Sequence, residues 1–196
     1  MLGSRSGLLV LVLSASSAVS AQPEPVINFM VRHYEVAGTT SAAITQSVFK
    51  NTPVKMNGGR YGAVTHNQFS TSYSAVADSH GGCEVKNVSI VLDSTVVLPK
   101  LVPSGQSAAV MAEWERYIGA LRAHELMHAN NGRLTAQTLA SRLYDFKSQM
   151  PCVQMRARLD RAVKQLIDNM GVWDQQLDAN TDHGRTQGAY LRPGFQ

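Results

Sequence analysis

Apolar and polar residues follow two rhythms along this chain, and the change between them falls near Pro103. Residues 28–36 (NFMVRHYEV) alternate roughly every second position, as a strand with one buried face does. Gly38-Thr39-Thr40-Ser41 then supplies a turn and a helix N-cap, so a short helix is expected over about 42–49. The stretch 51–62 is rich in Asn, Pro and Gly and reads as loop. Alternation returns in 69–76 and 84–92, separated by Asp78-Ser79-His80-Gly81-Gly82, and this spacing predicts a hairpin. Val96-Val97-Leu98-Pro99 closes the strand-rich half.

After Pro103-Ser104-Gly105 the period lengthens. Val110, Trp114, Tyr117, Ile118, Leu121, Glu125 and His128 recur at steps of three and four, which predicts a long helix with one inward face. It starts near Ser107, continues past Gly132 to about Phe146, and cannot pass Pro151. A second helix carries Leu159, Val163, Leu166 and Met170 on one stripe and is expected to stop at Gly171, leaving 173–196 irregular. Strands first and helices later predict an α+β fold: a small antiparallel sheet packed on the long helix and a second C-terminal helix. A single domain over 22–196 accommodates all of it.

The first 21 residues stand apart. Arg5 precedes an apolar run at 8–13, and small residues end in Ala18-Val19-Ser20-Ala21, the three-part pattern of a secretory signal peptide cleaved after Ala21. The apolar run is too short to span a bilayer of about 30 Å as a helix, so no stable membrane insertion is expected after cleavage. The expected product is secreted or periplasmic. Export changes the reading of Cys83 and Cys152, the two cysteines of the chain. In an oxidising compartment they are expected to pair, and closing so long a loop contributes about 4 kcal/mol on the chain-entropy model.

Composition adds mainly exclusions. With 44% hydrophobic and 16% charged residues the chain suits a globular protein and no fibrous or low-complexity class. Its net charge of +4 comes without a basic cluster, so no nucleic-acid partner is expected.

The chemistry concentrates in His124-Glu125-Leu126-Met127-His128, an H-E-x-x-H sequence inside the predicted long helix. Four-residue spacing puts both imidazoles on one helical face, one turn apart, where they can share an ion. Glu125 lies about 100° around the helix, near enough to act on a water there without being a ligand. Zinc is the expected ion and Glu125 the expected general base, with a metal-activated water as nucleophile. Random placement yields this pattern only about once in two hundred chains of such length and composition. The competing reading, two satisfied surface histidines, conflicts with a stripe that faces inward up to His128.

A catalytic zinc takes a third protein ligand and keeps an open position. No glutamate follows Glu125, and no histidine stands where an extended HExxHxxGxxH pattern requires one. The remaining candidates are His183 and the aspartates 145, 160, 168, 174, 178 and 182. Imidazole is the better zinc ligand, which favours His183; Asp178 is the alternative, as a ligand or as a group that orients one. Arg185, Tyr190 and Tyr144 are weaker candidates for stabilising an oxyanion. His33, His66 and His80 read as structural, and Trp114 and Trp173 as core or cleft-wall aromatics.

Several stretches together resemble the bacterial domain-of-unknown-function family of predicted secreted zinc-dependent proteases. They are Tyr34-Glu35-Val36-Ala37-Gly38-Thr39-Thr40, Gly82-Cys83, Val97-Leu98-Pro99, the Trp114 helix leading into HELMH, and Leu177-Asp178-Ala179-Asn180-Thr181-Asp182-His183-Gly184. The last is similar to an aromatic-D-x-x-T-x-H-G pattern, with Leu177 where that pattern has an aromatic. The resemblance implies a zincin-like fold, with His183 as third ligand supported by Asp178 and Thr181.

The expected function is an exported zinc metallopeptidase acting on protein or peptide. Two alternatives stay open: a zinc-dependent amidase or hydrolase of the cell envelope, and a non-catalytic periplasmic binding protein that keeps zinc for stability.

Overall fold

The computed structural model describes residues 24–56 and 58–196. The expected signal segment lies outside them. No helix among the described residues is long and apolar enough to cross a membrane.

The fold is α+β, as the change of rhythm predicts. Strand β1 (Val26–Val36) leads into helix α1 (Ser41–Asn51) and a two-rung hairpin, β2 (Lys55–Met56) with β3 (Gly59–Arg60). Strands β4 (Val64–Ala77) and β5 (Cys83–Leu101) form the hairpin that the turn residues announce. Asp78 builds that turn, its Oδ1 accepting the backbone N–H groups of His80 at 2.8 Å and Gly82 at 2.9 Å. Helix α2 (Ala108–Leu143) follows, then β6 (Lys147–Ser148), helix α3 (Cys152–Thr181) and a 3-10 turn, Arg185–Gln187.

Three features depart from the expected layout. The sheet order is β1-β5-β4, with β1 parallel to β5, so the sheet is mainly but not wholly antiparallel. The strand expected over 84–92 does not end there; β5 runs unbroken for 19 residues, takes in Val96–Pro99 and carries the core residues Leu92, Val96 and Leu98 along one face. Gly171 does not stop α3, which continues to Thr181. One glycine costs a helix only about 1 kcal/mol relative to alanine, and the face from Met170 to Asp178 gains contacts with α2 that outweigh it.

The helices cover one side of the sheet. Helix α2 spans two clusters of buried side chains, one with Val36, Ile44, Val96, Leu98, Trp114, Tyr117 and Leu121, the other with Val85, Ile90, Leu92, Leu139, Leu143 and Met155. Between them α2 passes β4 at close range. A Cβ on Gly132 would stand 2.5 Å from the Asn67 side chain. That amide donates to the His128 carbonyl at 2.9 Å and accepts from Ser94 Oγ at 2.8 Å, so a hydrogen-bonded wedge sets the helix–sheet distance one turn beyond His128. Cys83 and Cys152 form the expected disulfide, tying the start of β5 to the start of α3.

Candidate metal centre

His124 and His128 project from the middle of α2, both buried, their Nε2 atoms 3.2 Å apart. Asp178 meets them from α3. Its Oδ1 lies 3.1 Å from each of those nitrogens, and the three donor atoms form one tight group. The extension of α3 through Gly171 is what delivers Asp178, because that residue belongs to the helix and not to an irregular tail.

The opposite edge of each imidazole is occupied. Gln187 Oε1 accepts from His124 Nδ1 at 2.9 Å, and Asp174 Oδ1 accepts from His128 Nδ1 at 3.0 Å. Asn131 steadies Asp174 with a 2.7 Å hydrogen bond. Protons held on both Nδ1 atoms direct both Nε2 atoms at Asp178; those nitrogens are the positions a metal would take once their protons leave. Asp174 precedes Asp178 by one helical turn, so two carboxylates on α3 face two imidazoles on α2 at the same spacing.

The resulting electrostatics are strong. Burial opposes charge on His128, but Asp174 and Asp178 outweigh it and push its imidazolium up to about 10. Burial likewise opposes ionisation of Asp178, and hydrogen bonds from His124 and His128 reverse the balance, holding it well below the usual carboxylate range. The centre is therefore a carboxylate held between protonatable rings.

Glu125 occupies the adjacent position and is buried. Thr65 Oγ1 on β4 lies 2.8 Å from its Oε2 and 2.9 Å from its own carbonyl, placing the hydroxyl proton between two acceptors. Burial raises the Glu125 carboxyl above its ordinary value, with the Thr65 hydrogen bond opposing the shift.

His183 stands at the rim. Its Nδ1 is 3.6 Å from Asp178 Oδ1, its ring packs against Tyr61 at 4.7 Å, and its side chain is half exposed. It belongs to the site but not to the group of three mutually close donors. The structure thus brings together His124, His128 and Asp178, with His183 alongside.

Thr181 shapes the turn that carries His183. Its hydroxyl donates to the Leu177 carbonyl at 2.7 Å and accepts from Gly184 N–H at 3.1 Å. Asp182, His183 and Gly184 all adopt left-handed backbone, which folds the tail back onto α2. At Gly184, φ +80°, a Cβ would sit 2.9 Å from His124 Cγ, so only glycine lets the tail pass the ring. This places Thr181 and Gly184 of the T-x-H-G stretch in structural roles around the site.

The donor chemistry fits zinc. Two imidazoles and one carboxylate are common zinc ligands, and separations of 3.1–3.2 Å approach the edge of about 3.3 Å of a tetrahedron with zinc at its centre. The centre opens onto a cleft of about 380 Å³. Arg185 and Tyr190 line that cleft, whereas Tyr144 caps the far end of α2, about 24 Å of helix beyond His128. Arg185 is paired with Asp182.

Sequence reasoning finds the pair on α2 and the Asp178–His183 segment. It names Asp174 among the candidate aspartates without singling it out, although the four-residue step from Asp174 to Asp178 carries a signal once α3 is allowed to cross Gly171, and it misses Gln187 and Thr65. Thr65 and Gln187 act through tertiary folding, and no local pattern marks them.

No curated protein and no solved structure matches the chain. A family model does: the one described as "Bacterial protein of unknown function (DUF922)" matches residues 31–184, from within β1 to the glycine packed on His124, and the chain belongs to that family.

Proposed function

We propose that this protein is an exported zinc-dependent peptidase. The observation that carries the reading is the convergence of His124 Nε2, His128 Nε2 and Asp178 Oδ1, each within 3.2 Å of the others, beside a buried glutamate at the wall of an open cleft. A bare charge cluster would not need Gln187 and Asp174 to fix both ring orientations.

His124, His128 and Asp178 would hold the zinc, which when bound would supply Lewis acidity toward a peptide carbonyl and a water. Glu125 does the proton work. As carboxylate it accepts the proton of the attacking water and then passes it to the leaving amine. Burial brings its proton affinity closer to the working pH than that of a solvated glutamate, and the Thr65 hydroxyl aims the carboxylate. Asp174 and Gln187 hold the rings still through the cycle.

Residues 1–21 are read as the export signal, and the Cys83–Cys152 bond suits an oxidising destination. N-terminal sequencing of the protein from its native host should begin at Gln22; a chain retaining Met1 contradicts export by this route.

The decisive experiment is Glu125→Gln. The variant should keep zinc and lose hydrolysis of denatured protein, while cleavage at the wild-type rate overturns the mechanism. Peptidoglycan fragments assayed beside denatured protein separate a peptidase from an envelope amidase.

One observation favours a second reading. His183 Nδ1 stands 3.6 Å from Asp178 Oδ1, outside the group of three donors, and a swing of its ring toward the two histidines would add a fourth donor, the closed arrangement of a structural zinc site. In that case His183→Ala loses zinc and fold together, and no substrate is cleaved. In a catalytic site the same variant keeps its fold.

A further inference from the structure

The cleft does not end at the metal centre. On α2, Leu121 and Tyr117 lie one and two turns before Glu125 and form the floor of an arm that leads away from the donors. Val48 and Phe49 on α1, Met56 on β2 and Leu191 in the tail build its walls. Two arginines that reach the cleft stand tied: Arg60 donates to the Lys50 carbonyl at 3.3 Å, and Arg185 is paired with Asp182. The carboxylates and imidazoles that line the cleft gather at the metal end, so the arm is walled by apolar side chains.

Two of those walls are wet. Phe49 is 48% and Met56 39% exposed, although both border a concave surface. Apolar area left wet in a concavity is recovered when an apolar ligand covers it.

We propose that this arm receives a large aliphatic or aromatic side chain of the substrate, on a residue flanking the scissile bond; the assignment rests on the peptidase reading for the position of that bond. The distances suit it. Leu121 lies about 6 Å along the helix from Glu125, a reach that leucine, methionine or phenylalanine spans and alanine does not. A cleft of about 380 Å³ takes one such side chain and a short length of backbone. A charged side chain buried among Val48, Tyr117 and Leu121 is disfavoured by desolvation.

Two measurements test the proposal. First, the zinc-loaded wild-type chain digests a diverse peptide mixture and the new termini are sequenced. Leu, Ile, Met and Phe should be enriched at one fixed side of the cut. Second, zinc-loaded Glu125→Gln is titrated calorimetrically with a blocked hexapeptide carrying Phe, Ala or Asp at one position. The Phe peptide should bind roughly 10- to 100-fold more tightly than the Ala peptide, with the Asp peptide weakest. Met56→Lys, a change at an exposed wall position, should shrink that ratio while leaving the melting temperature near wild type.

Cleavage without any preference for apolar residues overturns the arm and leaves the peptidase standing. No cleavage, with the Phe peptide still preferred in binding, upholds apolar recognition and overturns the peptidase. Equal binding of all three peptides overturns the arm.

Discussion

Helix α2 joins two halves that are held in different ways. Its C-terminal half, from Ala136 to Leu143, packs in a purely apolar cluster closed by the Cys83–Cys152 bond. Its N-terminal half packs in the other apolar cluster and is clamped by charge as well. Glu113 is fully buried and accepts from Arg116 Nε at 3.0 Å and Arg192 Nε at 2.8 Å, as well as from the Arg192 backbone N–H at 2.7 Å. Arg116 also donates to the carbonyls of Gly188 and Tyr190, so this carboxylate and this guanidinium bind the tail from Gly188 to Arg192 to α2. The candidate metal ligands lie at the seam. Asp174 and Asp178 come from α3, which the covalent half anchors; Gln187 and Gly184 come from the tail, which the ionic half anchors. Each half therefore delivers its own orienting groups to the same pair of histidines.

The largest expected effect comes from breaking the covalent half. Replacing both cysteines with serine, or reducing the bond, should lower unfolding free energy by about 4 kcal/mol in urea titration, because a long closed loop is released in the unfolded chain. Removing the clamp should rank second. Glu113→Ala leaves two guanidinium groups without a buried partner and should cost about 3 kcal/mol. Arg116 leads the interactions that hold this carboxylate below its ordinary range, so the clamp is fully present above the ordinary glutamate pKa and loosens as pH falls through its lowered one. The two variants should differ in kind as well. Glu113→Ala frees the tail and releases Gln187 from His124, weakening zinc binding beyond what its stability loss implies, which a zinc competition assay reads directly.

Smaller still is the effect of crowding the seam. Gly132→Ala pushes a methyl group into the Asn67 amide and should cost about 1–3 kcal/mol while weakening the hydrogen bond to the His128 carbonyl. A variant as stable as wild type would show that α2 and β4 can separate without penalty. Gly171→Ala is the control: nothing beyond the neighbouring helix backbone stands within 4 Å of the place its added methyl would take, so it should stabilise α3 slightly.

The two halves also differ in how far the sequence reveals them. The helical stripe from Val110 to His128 and the cysteine pair are local or compositional signals, and both lead to the observed structure. The hairpin is equally legible, because Asp78 and two glycines specify the turn. What local pattern misses is tertiary. Parallel addition of β1 to β5 depends on which strand edge is free, not on residues in either strand. The run of α3 through Gly171 depends on partners across the interface, and with it the helical placement of Asp174 and Asp178. The Glu113 clamp joins residues 79 positions apart and carries no pattern at all.

The smallest expected effect distinguishes the two histidines. His124 is oriented by a neutral amide and His128 by a carboxylate, so their supports should fail differently. Gln187→Ala removes one acceptor without changing charge; zinc affinity should fall about tenfold, equally at every pH. Asp174→Asn also weakens the hold on its ring, but it removes one of two carboxylates that keep His128 protonated up to about 10. Zinc must displace that proton, so wild-type affinity should climb with pH through the neutral range. In Asp174→Asn the ring releases its proton at lower pH, and the climb should shift toward acid and flatten. Zinc competition titrations between about pH 6 and 9 compare the three proteins. Parallel curves for wild type and Asp174→Asn would mean that Asp174 orients His128 without governing its charge.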